Sequence, residues 1–205
     1  MILSSKEQLE NHVCSELKND LVCEAFKKVD RKLFVPEQFV NFAYLDEAIS
    51  LDEGSSISQP SLVAEMIDLF ELTGKEHVLE IGTASGYSAA ILSLCCRTVD
   101  TIEIDPKLAE TAKKRLADLG FKNITVNAGD GSTGLLSKSP FDAIVVTAAV
   151  KEIPKALINQ LNEGGRIVVP VQIEEADLQE LVLGIKRKDR LITKPITTVK
   201  FVPLV

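Results

Sequence analysis

The sequence predicts an α/β domain: a doubly wound, mostly parallel sheet, preceded by N-terminal helices and closed by a C-terminal antiparallel hairpin. Three observations carry this. From His77 onward strand-like apolar runs alternate with helical patterns, the rhythm of βαβ units, which demand right-handed crossovers covering both sheet faces. Phe141 to Thr147 reads as a fully buried central strand. After Val171 the grammar changes to two long segments, Leu178 to Lys186 and Leu191 to Val202, on either side of a charged turn at Lys188 to Arg190, the pattern of a hairpin.

Ser4 to about Lys32 is helical and polar-rich, with Ser4 and Glu7 placed for a capping box and Leu9, Val13 and Leu17 at one-turn spacing. Phe34 to Gly54 has no single period and reads as irregular with short helical pieces. Pro60 suits the first turn of a helix whose face is Leu62, Val63, Met66, Ile67 and Phe70. The strand and helix signals then run Val78 to Ile81, Tyr87 to Cys96, and Val99 to Ile104. A helix capped by Asp105, opened by Pro106 and stopped at Gly120 follows, then a strand at Ile124 to Ala128. Ile153 to Leu161 reads as a helix ended by Gly164 and Gly165, and Arg166 to Val171 as a strand. No repeat or linker divides the chain, so residues 1–205 form one domain, with 1–59 a helical flank on the substrate side and 60–205 the core.

The chain has 205 residues, 45% hydrophobic and 26% charged, enough to bury roughly 70% of its unfolded surface without metal or disulfide support. Thirty acidic against 23 basic residues leave a net charge of −7, which argues against a general binder of nucleic acid or anionic membrane. Cys14, Cys23, Cys95 and Cys96 form no CxxC, and His12 and His77 lack zinc-site spacing. A reduced, cytoplasmic monomer with no metal is the expectation, since no signal segment or apolar run of spanning length is visible.

The chemistry concentrates at Val78-Leu79-Glu80-Ile81-Gly82-Thr83-Ala84-Ser85-Gly86-Tyr87, a buried strand leading through a small-residue turn into a helix, where a ligand can approach backbone closely. The spacing of Gly82 and Gly86 is not that of the dinucleotide fingerprint, which disfavours a nicotinamide-dependent oxidoreductase. Glu103 closes the next strand, where a carboxylate can accept two hydrogen bonds from a ribose diol. Gly129-Asp130-Gly131 closes the third, placing an acid within reach of an adenine amino group. Glu80, Glu103 and Asp130 thus form a series of acidic strand ends. Asp142, early in its strand, is expected to be structural; Tyr87 is expected to pack on the loop, and His77 merely to begin a strand.

The loop resembles the E-x-G-x-G-x-G turn of class I S-adenosylmethionine-dependent methyltransferases, with Ala84 replacing the middle glycine. Ile57-Ser58-Gln59-Pro60, Thr101-Ile102-Glu103, Phe141 to Ala149, Glu163-Gly164-Gly165-Arg166, Phe201-Val202-Pro203-Leu204 and the entry segment Lys32-Leu33-Phe34-Val35-Pro36 make the chain similar to protein-L-isoaspartate (D-aspartate) O-methyltransferases. The resemblance implies the Rossmann-like class I methyltransferase fold and methyl transfer from S-adenosylmethionine to the free carboxylate of L-isoaspartyl or D-aspartyl residues in damaged proteins. The ester then cyclises to a succinimide, whose hydrolysis partly restores aspartate. It further implies a donor site of Glu80, Gly82, Thr83, Ala84, Ser85, Gly86, Glu103, Ile104, Gly129, Asp130, Gly131 and Thr147. The acceptor side would comprise Ile57, Ser58, Gln59, Ala148, Ala149, Val202 and Leu204, with Ser58 the catalytic residue that orients the acceptor carboxylate. Isoaspartyl proteins and peptides are the expected partners.

Departures from the family pattern lie at Ile49 to Ser56, where Asp52 and Glu53 would repel an anionic acceptor if they faced the site, and at Ala84, whose methyl is tolerable only at a negative φ. The chain's end at Val205 suggests looser peptide binding. Two other readings are a class I methyltransferase with a different carboxylate or small-molecule acceptor, and a non-catalytic module that binds S-adenosylmethionine.

Overall fold

A computed structural model describes residues 5–51, 54–173, 178–188 and 190–204. The flank is two helices, α1 (Lys6–Glu16) and α2 (Asp20–Lys28), then short 3-10 turns at Arg31–Leu33 and Glu37–Phe42 and a small hairpin, β1 (Ile49–Ser50) with β2 (Ser56–Ile57). The core runs α3 (Pro60–Asp68), β3 (His77–Ile81), α4 (Tyr87–Cys95), β4 (Thr98–Glu103), α5 (Pro106–Asp118), β5 (Ile124–Ala128), β6 (Phe141–Val146), α6 (Lys155–Asn159), β7 (Leu161–Gln172), β8 (Gln179–Arg187) and β9 (Arg190–Val199). Its seven strands lie in the order β5-β4-β3-β6-β7-β8-β9. β3 through β7 pair in parallel, and β8 and β9 add antiparallel to the β7 side.

Both sheet faces are covered, and the side chains alternate between two cores. Val78, Ala143, Val145, Val168 and Leu181 face the N-terminal helices and α4. Leu79, Ile144, Val146, Ile167, Val169 and Val182 face the opposite layer with Leu157 of α6. That two-sided burial is why these strands read as near-continuous apolar runs. Since β3 continues to β4 on one side and pairs with β6 on the other, the chain reverses its winding there, and the carboxyl ends of β3 and β6 flank a natural crevice. At the far edge β9 exposes Lys194 and Pro195, and its register with β8 shifts between Leu181 and Val182.

Four local expectations are corrected. The N-cap of α1 is Ser5, whose hydroxyl accepts from Gln8 N at 3.2 Å; Ser4, expected there, lies outside the described residues, as do Asp52 and Glu53. The helix expected at Ile153 to Leu161 is confined to Lys155–Asn159, because Leu161 already pairs with Phe141. Gly164, at φ +77, sits inside β7 where the register with β6 shifts, so it forms a bulge rather than a helix stop. Cys14 and Cys23, expected as thiols, are disulfide-bonded: the turn between α1 and α2 brings their Cα atoms to 5.2 Å, within bridging range. Cys95 and Cys96 are free and buried.

Candidate active site

A crevice of about 320 Å³ opens at the carboxyl ends of β3, β4 and β6. The β3–α4 turn forms its back. Gly82 stands at φ +96, and a side chain there would collide with Thr147 Oγ1. That hydroxyl donates toward the carbonyls of Ile81 and Gly82, each at 3.0 Å, so Thr147 at the end of β6 fastens the turn. Opposite, a Cβ on Gly131 would strike Ile81. Glu103 is the charged centre of the crevice. It is 5% exposed, and its carboxylate accepts from Ala84 N at 2.8 Å and from Asp105 N at 3.1 Å. Two backbone donors therefore fix its orientation. Ile104, half-exposed, lies beside it with Leu108.

The front wall is the C-terminal segment. Ala149 N donates to Val202 O at 2.7 Å and Leu204 N to Ala149 O at 2.8 Å, which lays Val202 to Leu204 beside Ala148 as crevice lining. Ala149 is buried and acts through its backbone.

Not every residue of the expected donor set reaches this space. Glu80 is fully buried beneath the turn, where Thr101 Oγ1 donates to its Oε2 at 2.7 Å and Thr83 meets Thr101 at 2.6 Å. Among the described residues its Oε1 is buried without a hydrogen bond, and burial pushes its carboxyl pKa up to about 7. Glu80 supports the turn from below. Ser85 is buried, its carbonyl held by Arg115 Nη1 at 2.8 Å, and Gly86, at φ +86, starts α4 against Leu116. Asp130 is exposed and caps the turn after β5 by accepting from Ser132 N at 2.8 Å, a hydrogen bond that lowers its carboxyl pKa. Of the Gly129-Asp130-Gly131 trio, Gly131 lines the crevice. Ala84, expected to need a negative φ, stands at +46. It takes the glycine-like conformation because its N–H must aim at Glu103.

The residues expected to take the acceptor adjoin this crevice. Ser56 lines both the crevice and a second cleft of about 470 Å³ that runs between Ser56 to Glu65 and the end of β9, Thr197 to Phe201. Ser58 lines that cleft and a small void under the donor turn beside Gly82, Ala84 and Thr147. Ser58 does not cap α3. The N-cap residue is Gln59, whose side chain makes no capping bond, and Asp46 Oδ1 accepts from Ser61 N at 2.9 Å instead. Asp46 Oδ2 takes Gln59 Nε2 at 3.0 Å, so Gln59 borders the cleft while its amide nitrogen is held. The Ile57 side chain is buried below.

Sequence reasoning missed the residue that organises this side. Arg31 is 1% exposed. Its guanidinium donates to the carbonyls of Ala43, Leu45, Glu47 and Ser58 at 3.1, 3.0, 2.8 and 3.1 Å and lies 5.9 Å from the Tyr87 ring centre. Desolvation pushes its pKa down to about 10, still charged at neutral pH. The one available signal was an arginine two residues before the apolar Leu33-Phe34-Val35 run. Of the remaining expectations, Tyr87 packs against Phe34 at 5.6 Å between ring centres. Asp142 holds His77 N at 2.8 Å and Asn162 at 2.6 Å at the amino end of β6, away from the crevice.

These residues fit an adenosine-bearing sulfonium donor: an oriented carboxylate for a diol, apolar Ile104 and Leu108 for a flat ring, and a turn whose glycines leave backbone bare. The comparisons agree. A family model described as Protein-L-isoaspartate(D-aspartate) O-methyltransferase (PCMT) matches residues 5–205. A Shewanella sediminis protein-L-isoaspartate O-methyltransferase 2 is 46% identical over 189 residues, 92% of this chain and 77% of that protein. The Ignicoccus hospitalis protein-L-isoaspartate O-methyltransferase is 43% identical over 205 residues, 98% of this chain and 97% of the other. A solved protein-L-isoaspartate O-methyltransferase superposes with a TM-score of 0.90 at 31% identity over 97% of this chain; the match spans 65% of that longer protein. A Plasmodium falciparum structure assigned to the same enzyme class, determined with S-adenosyl-L-homocysteine, shares the fold with a TM-score of 0.82 at 22% identity, covering 98% of this chain and 97% of its own. The chain belongs to the protein-L-isoaspartate(D-aspartate) O-methyltransferase family.

Proposed function

We propose that this protein methylates the free α-carboxylate of L-isoaspartyl residues, and the side-chain carboxylate of D-aspartyl residues, in damaged proteins. The observation that carries the reading is the junction of two spaces: a crevice centred on the braced Glu103 and a cleft open to a peptide meet at Ser56, with Ser58 beside them. Bound S-adenosylmethionine supplies an electrophilic methyl group. Glu103, Gly82, Ala84, Ile104, Gly131 and Thr147 hold the donor, while Glu80, Thr83, Ser85 and Gly86 hold the turn. The acceptor carboxylate, with a pKa of roughly 4, arrives ionised at neutral pH, so the protein needs no general base.

What the chain must provide is position, which in favourable cases contributes about 7–11 kcal/mol to lowering a barrier. The Ser58 hydroxyl makes no cap and is available to donate to the acceptor. Ala148 leaves room for peptide backbone, Ala149 anchors the C-terminal segment, and Val202 to Leu204 shield the crevice from water. The 1–59 flank and 60–205 core work as one domain, a reading supported by Arg31 of the flank lying against Tyr87 of the core. A cytoplasmic monomer is supported by the acidic charge and the two free cysteines, and opposed by the Cys14–Cys23 bond; thiol counting on protein isolated under alkylating conditions decides the redox state.

The test is transfer of labelled methyl to an isoaspartyl peptide beside its normal aspartyl twin. Labelling of the isoaspartyl peptide alone is expected, and equal labelling of both, or of neither, overturns the reading. Ser58→Ala is expected to lower turnover about 100-fold, the usual scale for losing one oriented donor, with S-adenosylhomocysteine affinity unchanged by calorimetry.

A further inference from the structure

Resting on the function proposed above, we infer that Glu65 forms a subsite for a cationic side chain, lysine or arginine, of the acceptor peptide close to its isoaspartyl residue. Glu65 lies on α3 and lines the same 470 Å³ cleft as Ser58. It is five residues past Pro60, the first residue of α3, so it stands about 7–8 Å along the helix axis from Pro60. An extended peptide covers that distance in about two residues. With the isoaspartyl carboxylate at Ser58, its near neighbours pass this wall.

The chemistry of the wall is unbalanced. Glu65 is half-buried, yet among the described residues no donor or cation is recorded against its carboxylate, whereas most carboxylates at the edges of the site are engaged: Asp46 by Ser61 and Gln59, Asp68 by the amides of Lys18 and Asn19. Burial and the charge of Asp68 both push the Glu65 carboxyl pKa up, the signature of an anion short of a counter-charge. Lys200, the cation that lines this cleft among the described residues, comes from the opposite side, past the end of β9; Ser61, Leu62, Thr197 and Thr198 are neutral. A peptide entering with a lysine or arginine on the α3 side supplies the charge that Glu65 lacks.

The experiment uses the full chain and isoaspartyl peptides that differ at a single position, carrying Lys, Gln or Glu at each place from two residues before to two residues after the isoaspartate. At one of these places the Lys peptide is expected to exceed the Gln peptide in kcat/KM by about fivefold, the scale of a partly exposed ion pair. Glu65→Gln should abolish that preference and Glu65→Lys should reverse it toward the Glu peptide, with the Gln peptide altered less than about twofold. S-adenosylhomocysteine affinity, measured by calorimetry, confirms that both variants are folded. A charge preference that persists in both variants, or an unaltered enzyme that methylates all peptides equally, overturns the subsite alone. Failure of the unaltered enzyme on every peptide overturns the function itself.

Discussion

The donor wall of the crevice is made from the ends of regular strands: Gly82, Glu103 and Thr147 each sit where a parallel strand stops, and backbone bonds from Gly82 N to Ile102 O, Gly129 N to Glu103 O and Thr147 N to Ile81 O continue the ladder there. The acceptor wall is irregular chain from Arg31 to Gln59, containing one two-residue hairpin, and a single guanidinium fastens it at four carbonyls. The first wall inherits its rigidity from a core whose strands are buried on both faces. The second depends on a few side chains, and its geometry can shift while the donor site stays intact.

That contrast orders the expected outcomes. The largest is Arg31→Met, which leaves four carbonyls, that of Ala43 buried and the others part-buried, without their charged donor; it should cost on the order of 3–5 kcal/mol in urea unfolding. In folded protein, turnover should fall while S-adenosylhomocysteine affinity holds. Equal loss of both would tie the two walls together. Next, Glu103→Ala removes the braced carboxylate, and calorimetry should show S-adenosylhomocysteine binding weakened about 100-fold, the worth of one or two charge-assisted hydrogen bonds. Turnover at saturating donor should recover most of its value.

Glu80 gives a pH test of the layer under the donor turn. Its folded pKa, about 7, stands above the ordinary 4.5, so the folded state holds the proton more tightly. Its contribution to stability is complete below about pH 4.5 and is lost as pH rises through 7, up to about 3 kcal/mol in all. Glu80→Gln should remove that component: the stability difference between variant and unaltered protein, from urea titrations at pH 5 and 8, should move in the variant's favour at pH 8. A constant difference would contradict it. The smallest effect is Ala84→Gly, which relieves a left-handed alanine at φ +46 and should stabilise by about 1 kcal/mol, read as a higher Tm.

The donor wall was legible in the sequence because it is built from strand-end punctuation: an acid or a glycine closing an apolar run. What stayed hidden there was direction. The sequence places Glu80 and Asp130 at strand ends, but only the pleat decides that Glu80 points under the turn and that Asp130 turns outward to cap Ser132. Ala84 could not be read either, because its φ is imposed by the need to reach Glu103. On the acceptor side, Arg31 finds its partners 12 to 27 residues away, and Asp46 caps a helix that begins 14 residues later, at Pro60. No periodicity records such contacts. The Cys14–Cys23 bond escaped for the same reason: two helices fold back on each other to close it.

The outer edge of the sheet has a consequence for the molecules this enzyme would meet. A bare, flat strand would invite any partly unravelled polypeptide to zip onto it as a growing aggregate. Pro195, Lys194 and the irregular register beside β9 deny that invitation, so a client can visit the cleft next door and leave without being captured.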